Sequence, residues 1–176
     1  MAVVLIGGAI SAAAKEELDS FAGSCSVEGT VSFDPPVTNT EQPLSVAYDA
    51  TGDCSGRLNG RAVTDVPVTL HHAGRSVGSC LGAQTTGPGE GAITFPDRTV
   101  IPYSFEFQAI GTEVLFDLYG QRSGHATGHG TFLTTRTPLD AGPNCAGPGD
   151  AELPMDMTLR TDSPLVSGKA SGGHRP

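Results

Sequence analysis

The chain has 176 residues, with 24 glycines, 13 prolines, no tryptophan, 16% charged residues and a net charge of −9. That length suggests one domain, and glycine and proline at about a fifth of all positions exclude a coiled coil or a bundle of long helices. The acidic balance supplies neither the basic footprint that nucleic acid requires nor a basic patch for an anionic membrane.

In chain order, residues 2–14 carry no charge and are mostly apolar. The run is too short to span a bilayer as a helix, which takes about 20 residues. It fits the apolar part of a secretory signal, with Ala12-Ala13-Ala14 before Lys15, although no basic residue precedes it. Residues 1–21 are therefore expected to be a signal-peptide remnant or an N-terminal helix, with 12–21 the one helix candidate. Residues 22–168 are expected to form a β domain and 169–176 a disordered tail. No integral membrane segment is expected in the mature chain.

From residue 25 onward the pattern has period two, the mark of strands with one buried face. Cys25, Val27, Gly29, Val31 and Phe33 share one face, and Asp34-Pro35-Pro36 is expected to stop that strand. Leu44, Val46, Tyr48, Ala50, Gly52 and Cys54 form the next, followed by Val66, Val68, Leu70 and His72, then Gly91, Ile93 and Phe95. The clearest strand carries Ile101, Tyr103, Phe105, Phe107 and Ala109, followed by Val114, Phe116 and Leu118. Residues 123–133 put Gly124, Ala126, Gly128, Gly130 and Phe132 on one side and His125, His129 and Leu133 on the other. The last strand, 151–159, offers Leu153, Met155, Met157 and Leu159. About eight strands with short connections predict an all-β, antiparallel meander β-barrel or β-sandwich. Pairing Ala109 with Val114 sets Phe107 against Phe116, and pairing Leu118 with Gly124 sets Phe116 against Ala126. The stretches 34–43, 82–92 and 136–150 are rich in proline and glycine and are read as loops, where a binding surface sits most easily.

Four cysteines at wide spacing, Cys25, Cys54, Cys80 and Cys145, predict two disulfides rather than a zinc site, and an oxidising, extracellular compartment. If 25–33 and 44–54 pair around 34–43, one register joins inward residues throughout: Phe33 with Val46, Val31 with Tyr48, Gly29 with Ala50, Val27 with Gly52, and Cys25 with Cys54. Cys80 and Cys145 then pair by elimination. The run from Cys25-x-Val-x-Gly-x-Val to Pro35-Pro36-Val37-Thr38, with Thr51-Gly52-Asp53-Cys54-Ser55-Gly56, Gly78-Ser79-Cys80, Asn144-Cys145-Ala146-Gly147 and Leu165-Val166-Ser167-Gly168, resembles a loose group of secreted actinobacterial β-proteins. That resemblance spans roughly residues 22–168. It implies export and a disulfide-stapled β domain, and it transfers no catalytic residues.

The chemistry-bearing residues form no recognisable catalytic set. Gly52-Asp53-Cys54-Ser55-Gly56 has the outline of a protease nucleophile loop, but no histidine precedes it as that chain order requires, and Cys54 is read as half a disulfide. His125 and His129 lie on one strand face about 13 Å apart, too far to share a metal. His71 and His72 point to opposite faces, and a surface metal site from His71 and His125 is the remaining option. Asp140 with Asp150 is the candidate acidic calcium loop, without the usual calcium-loop pattern. No catalytic residue, metal ligand or cofactor is assigned. The expected function is a non-enzymatic extracellular or cell-envelope binding or structural module with a protein or envelope partner. The alternatives are a lipocalin-like barrel carrying a small apolar ligand and a hydrolase without a motif.

Overall fold

The structure, a computed structural model, describes residues 18–80, 85–133 and 146–168. Eight antiparallel strands follow one another in chain order: β1 Leu18–Val37, β2 Gln42–Leu58, β3 Arg61–Gly78, β4 Thr85–Thr94, β5 Val100–Ile110, β6 Glu113–Gly120, β7 Ser123–Phe132 and β8 Asp150–Gly168. Each pairs with the next, and β8 pairs back onto β1, which closes the sheet into a barrel. Of the two architectures open to the sequence, the barrel is therefore the one adopted.

The period-two alternation decides which side of the wall faces in. Val27, Val31, Tyr48, Leu70, Ile101, Leu118, Met157 and Leu159 are all buried inside. The alternate residues of the same strands, among them Ser24, Ser26, Glu28, Asp156, Thr158 and Arg160, are exposed. An apolar interior under a polar outer wall is the reverse of a membrane barrel. Among the described residues no helix is long and apolar enough to cross a membrane.

The β1–β2 register is the one that joins inward residues: Phe33 pairs with Val46, Val31 with Tyr48, and Cys25 with Cys54. The two cysteines meet with Cα atoms 4.1 Å apart and form a disulfide. The second predicted bridge, Cys80 with Cys145, falls on Cys145, which lies outside the described residues, and Cys80 has an interaction of its own. Among the described residues one disulfide is therefore seen, where two were expected.

Several expectations are corrected. Residues 18–21, expected within a helix or signal remnant, are strand: Leu18 and Ser20 pair with Gly168 and Val166 of β8, and Phe21 is fully buried. The rest of the 1–21 segment and the predicted tail lie outside the described residues. The β1 strand runs past Asp34-Pro35-Pro36 to Val37, because these residues fall where its ladder with β8 is interrupted, so the prolines displace no ladder hydrogen bond. The stretch 82–92 is largely strand β4 rather than loop. Its glycines are matched to bulky neighbours: Gly89 pairs with Phe105 and Gly87 with Phe107, and a Cβ on Gly89 would run into the Phe105 ring. The alternation of Gly91 and Ile93 marked the second half of this strand, but Gly87 and Gly89 carry no side chain to mark a face, so its first half left no pattern in the sequence.

The β5–β6 register is as expected, with Ala109 against Val114 and Phe107 against Phe116. The β6–β7 register is shifted by two residues from expectation: Leu118 meets Ala126, Phe116 meets Gly128, and Val114 meets Gly130. Gly124, expected opposite Leu118, lies instead at the shift in register between β7 and β8 with φ of 101°. A slip of two preserves which residues face in, so alternation could not detect it.

Candidate functional site

The two ends of the barrel differ. At the end where β1 begins and β8 finishes, the rings of Phe21 and Phe95 lie 5.4 Å apart. Phe21, Ile93, Ile101, Leu118 and Leu165 there are completely shielded from solvent. The β4–β5 connection folds tightly at this end: Phe95 N–H donates to Thr99 O at 2.9 Å, and Asp97 Oδ1 accepts from Thr99 N–H at 2.9 Å. The hydrogen bonds from the Thr99 backbone N–H and its side chain hold the exposed Asp97 carboxyl below its ordinary value.

At the opposite end the core is only half covered. Phe33, Val46, Phe107, Ala109 and Phe132 are partly buried and pack against it, with the Phe33 and Phe132 rings 6.5 Å apart. Val77, Ile110 and Leu133, each at least half exposed, stand at the strand ends around it. The remaining half-buried apolar residues of the core, Val63 and Val66, lie near the start of β3.

Between the ends sits the polar feature of the interior. His72 is 3% exposed, and its ring is enclosed by Phe105 at 4.5 Å, Phe116 at 5.3 Å, Tyr103 at 5.5 Å and Tyr48 at 5.9 Å between centroids. His72 Nε2 is 2.6 Å from the Tyr103 hydroxyl. The other ring nitrogen, Nδ1, is buried with no hydrogen-bond partner among the described residues, as is Ser76 Oγ on the same strand. Burial among these rings, with a smaller effect from neighbouring His71, pushes the His72 pKa down to about 3, so the imidazole is neutral at physiological pH. Burial also pushes the Tyr103 and Tyr48 phenols upward. The Tyr48 hydroxyl donates to Met155 O at 3.1 Å.

Backbone spacing makes room for this cluster. Gly91 lies directly across from His72 on β4, and a Cβ there would fall 2.6 Å from His72 Cδ2 and 2.7 Å from Tyr103 Cε2. The inward phase of His72 follows from the alternation with Val68 and Leu70. Its pairing with Tyr103 does not, because the two residues are 31 positions apart. Ser76 was not singled out from the sequence, although it continues the same alternation through Gly74.

The other described histidines point outward. Nδ1 of His71 is 2.6 Å from Asp49 Oδ1. His125 contacts Asp162 at 2.7 Å and Asp117 at 3.5 Å, and His129 contacts Glu113. Thus His125 and His129 share the outer face, as predicted, and each has its own carboxylate. His71 is on β3 and His125 on β7, separate walls of the barrel, so the surface site suggested for that pair is not assembled. Asp140 of the candidate calcium loop lies outside the described residues. Cys54, in a disulfide, has no thiol to act as a nucleophile. On the outer wall, an open depression of about 900 Å³ crosses β1 to β5, its lining including Asp34, Ser45, Arg75, Pro88, Glu90 and Ser104.

Comparison with protein-family models, curated proteins and solved structures gives no match to this chain.

Proposed function

We infer that the protein is an extracellular, non-catalytic binding barrel that admits a small apolar molecule at its half-covered end. The asymmetry of the ends carries this reading. One end buries the rings of Phe21 and Phe95 together with Ile93, Ile101, Leu118 and Leu165, and the other holds Phe33, Phe107 and Phe132 only partly buried over the same core. Half-buried aromatic rings with a few polar groups below them match the composition of a small-molecule site. The interior of an eight-stranded barrel is just wide enough for side chains to fill or for one small ligand.

An oxidising compartment is supported by the buried Cys25–Cys54 bridge. The non-catalytic part is supported by the partners of the histidines. Each described imidazole meets a carboxylate or a phenol, none of which is the serine or cysteine nucleophile that a histidine base would activate.

The test is a titration with N-phenyl-1-naphthylamine, whose fluorescence rises in apolar surroundings; the chain has no tryptophan to interfere. A saturable, blue-shifted rise that weakens several-fold in Phe132→Ala is expected. Absence of saturable binding to the wild-type protein would overturn the reading.

A further inference from the structure

The inner face of β3 differs from the rest of the wall. Towards the open end it reads His72, Gly74, Ser76, Gly78, opposite Tyr48, Val46, Leu44 and Gln42 of β2. It bears two polar side chains with an unpartnered atom each, His72 Nδ1 and Ser76 Oγ, in residues 3% and 8% exposed. They are four residues apart, about 13 Å along a strand. Gly74 lies between them and Gly89 beside it on β4, so neither adds a side chain. A buried polar atom left without a partner is costly, and this stripe carries two.

The geometry of His72 says what such a site would bind. The Cδ2–Nε2 edge of the ring faces Gly91 and Tyr103, so the opposite edge, with Nδ1, is turned away from β4 and β5. Tyr103 is 2% exposed. If Nε2–H donated to the phenol oxygen, both the Tyr103 hydroxyl hydrogen and the Nδ1 lone pair would be left over. If Tyr103 O–H donates to Nε2, a single group remains, an N–H at Nδ1. The second arrangement leaves fewer buried groups unmet. The interior therefore presents a neutral donor enclosed by the Phe105 and Phe116 rings.

We propose that the β3 stripe from Ser76 to His72 is a polar subsite that takes the oxygen acceptor of a small, uncharged, mostly apolar molecule such as a ketone, ester or alcohol. This rests on reading the half-covered end as the ligand mouth. An uncharged ligand follows because a carboxylate or ammonium would be buried without a counter-charge beside a neutral ring, at large cost. The ketone, ester or alcohol oxygen accepts from Nδ1–H, the apolar body lies against the phenylalanine rings, and Ser76, nearer the mouth, offers a hydroxyl that both donates and accepts.

The test compares acetophenone with ethylbenzene, which share a shape and differ in the carbonyl, on the full disulfide-bonded chain labelled with ¹⁵N-histidine. Acetophenone is expected to shift the His72 Nδ1 resonance saturably, and ethylbenzene is not. In competition with N-phenyl-1-naphthylamine, the preference for acetophenone over ethylbenzene should fall about three- to tenfold in His72→Phe, as loss of one hydrogen bond implies. The resonance measurement uses the wild-type chain, which keeps the test available if His72→Phe does not fold. An Nδ1 resonance that neither compound moves means an internal water only and overturns the proposal. If the dye still binds in that case, the reading of the open end survives and the subsite alone falls; if neither dye nor acetophenone binds, both fall.

Discussion

Protonation of His72 should set the acid sensitivity of the barrel. The imidazole is 3% exposed, and burial pushes its pKa from an ordinary 6.5 down to about 3. A depressed pKa means that the unfolded chain takes up the proton first as pH falls. The contribution to stability is therefore complete above pH 6.5 and is lost between 6.5 and about 3, at about 1.4 kcal/mol per pH unit. At pH 4.5 the loss is about 2–3 kcal/mol, a large share of the roughly 5–15 kcal/mol that holds a typical domain folded. The carboxylates of this acidic chain also respond to acid, so the comparison is with His72→Phe, which retains them all. The variant leaves the Tyr103 hydroxyl without its partner and should lose about 1–2 kcal/mol at pH 7, yet its stability should fall less on acidification. Guanidinium unfolding of both proteins at pH 7.0 and 4.5 measures the difference. An equal drop in the two proteins, or a His72 resonance that titrates near 6.5 in the folded state, would refute the reasoning.

Replacing both Cys25 and Cys54 with alanine opens a bridge between residues 29 positions apart. Chain-entropy arithmetic assigns such a loop about 3–4 kcal/mol, so circular dichroism should show a midpoint lower by roughly 7–15 °C, and non-reducing peptide mapping of the wild type should recover the Cys25–Cys54 pair. Gly89→Ala places a Cβ against the Phe105 ring and 2.6 Å from the Ala73 carbonyl oxygen; a loss of about 1–3 kcal/mol by denaturant unfolding is expected. Glu113→Gln removes the exposed partner of His129 and should change stability by less than about 1 kcal/mol at pH 6; a larger loss would mean that the outer-face pairs hold the barrel together.

Much of the barrel wall was legible in the chain because alternation is a local property. Most strands from 25 to 159 declare which face is buried, and where both partners of a hairpin alternate, matching inward to inward also fixes the register. That is why Cys25 meets Cys54 and Phe107 meets Phe116. The same argument shows where the pattern stops. It is blind to a slip of two residues, as in β6–β7, and to a stretch marked only by glycines, as in the first half of β4, whose place depends on the phenylalanines of β5. It is equally blind to contacts between distant segments. That β8 returns to β1, that Leu18–Phe21 belongs to the wall, and that one end is sealed while the other is half covered all depend on the closed sheet. For the interior site, the sequence by itself determined that His72 faces in and His71, His125 and His129 face out. Only the tertiary structure decided that Tyr103 meets one nitrogen of His72 while the other is left buried without a partner, because that arrangement depends on a third strand, β4, where Gly91 leaves room for the two rings to meet at hydrogen-bonding distance.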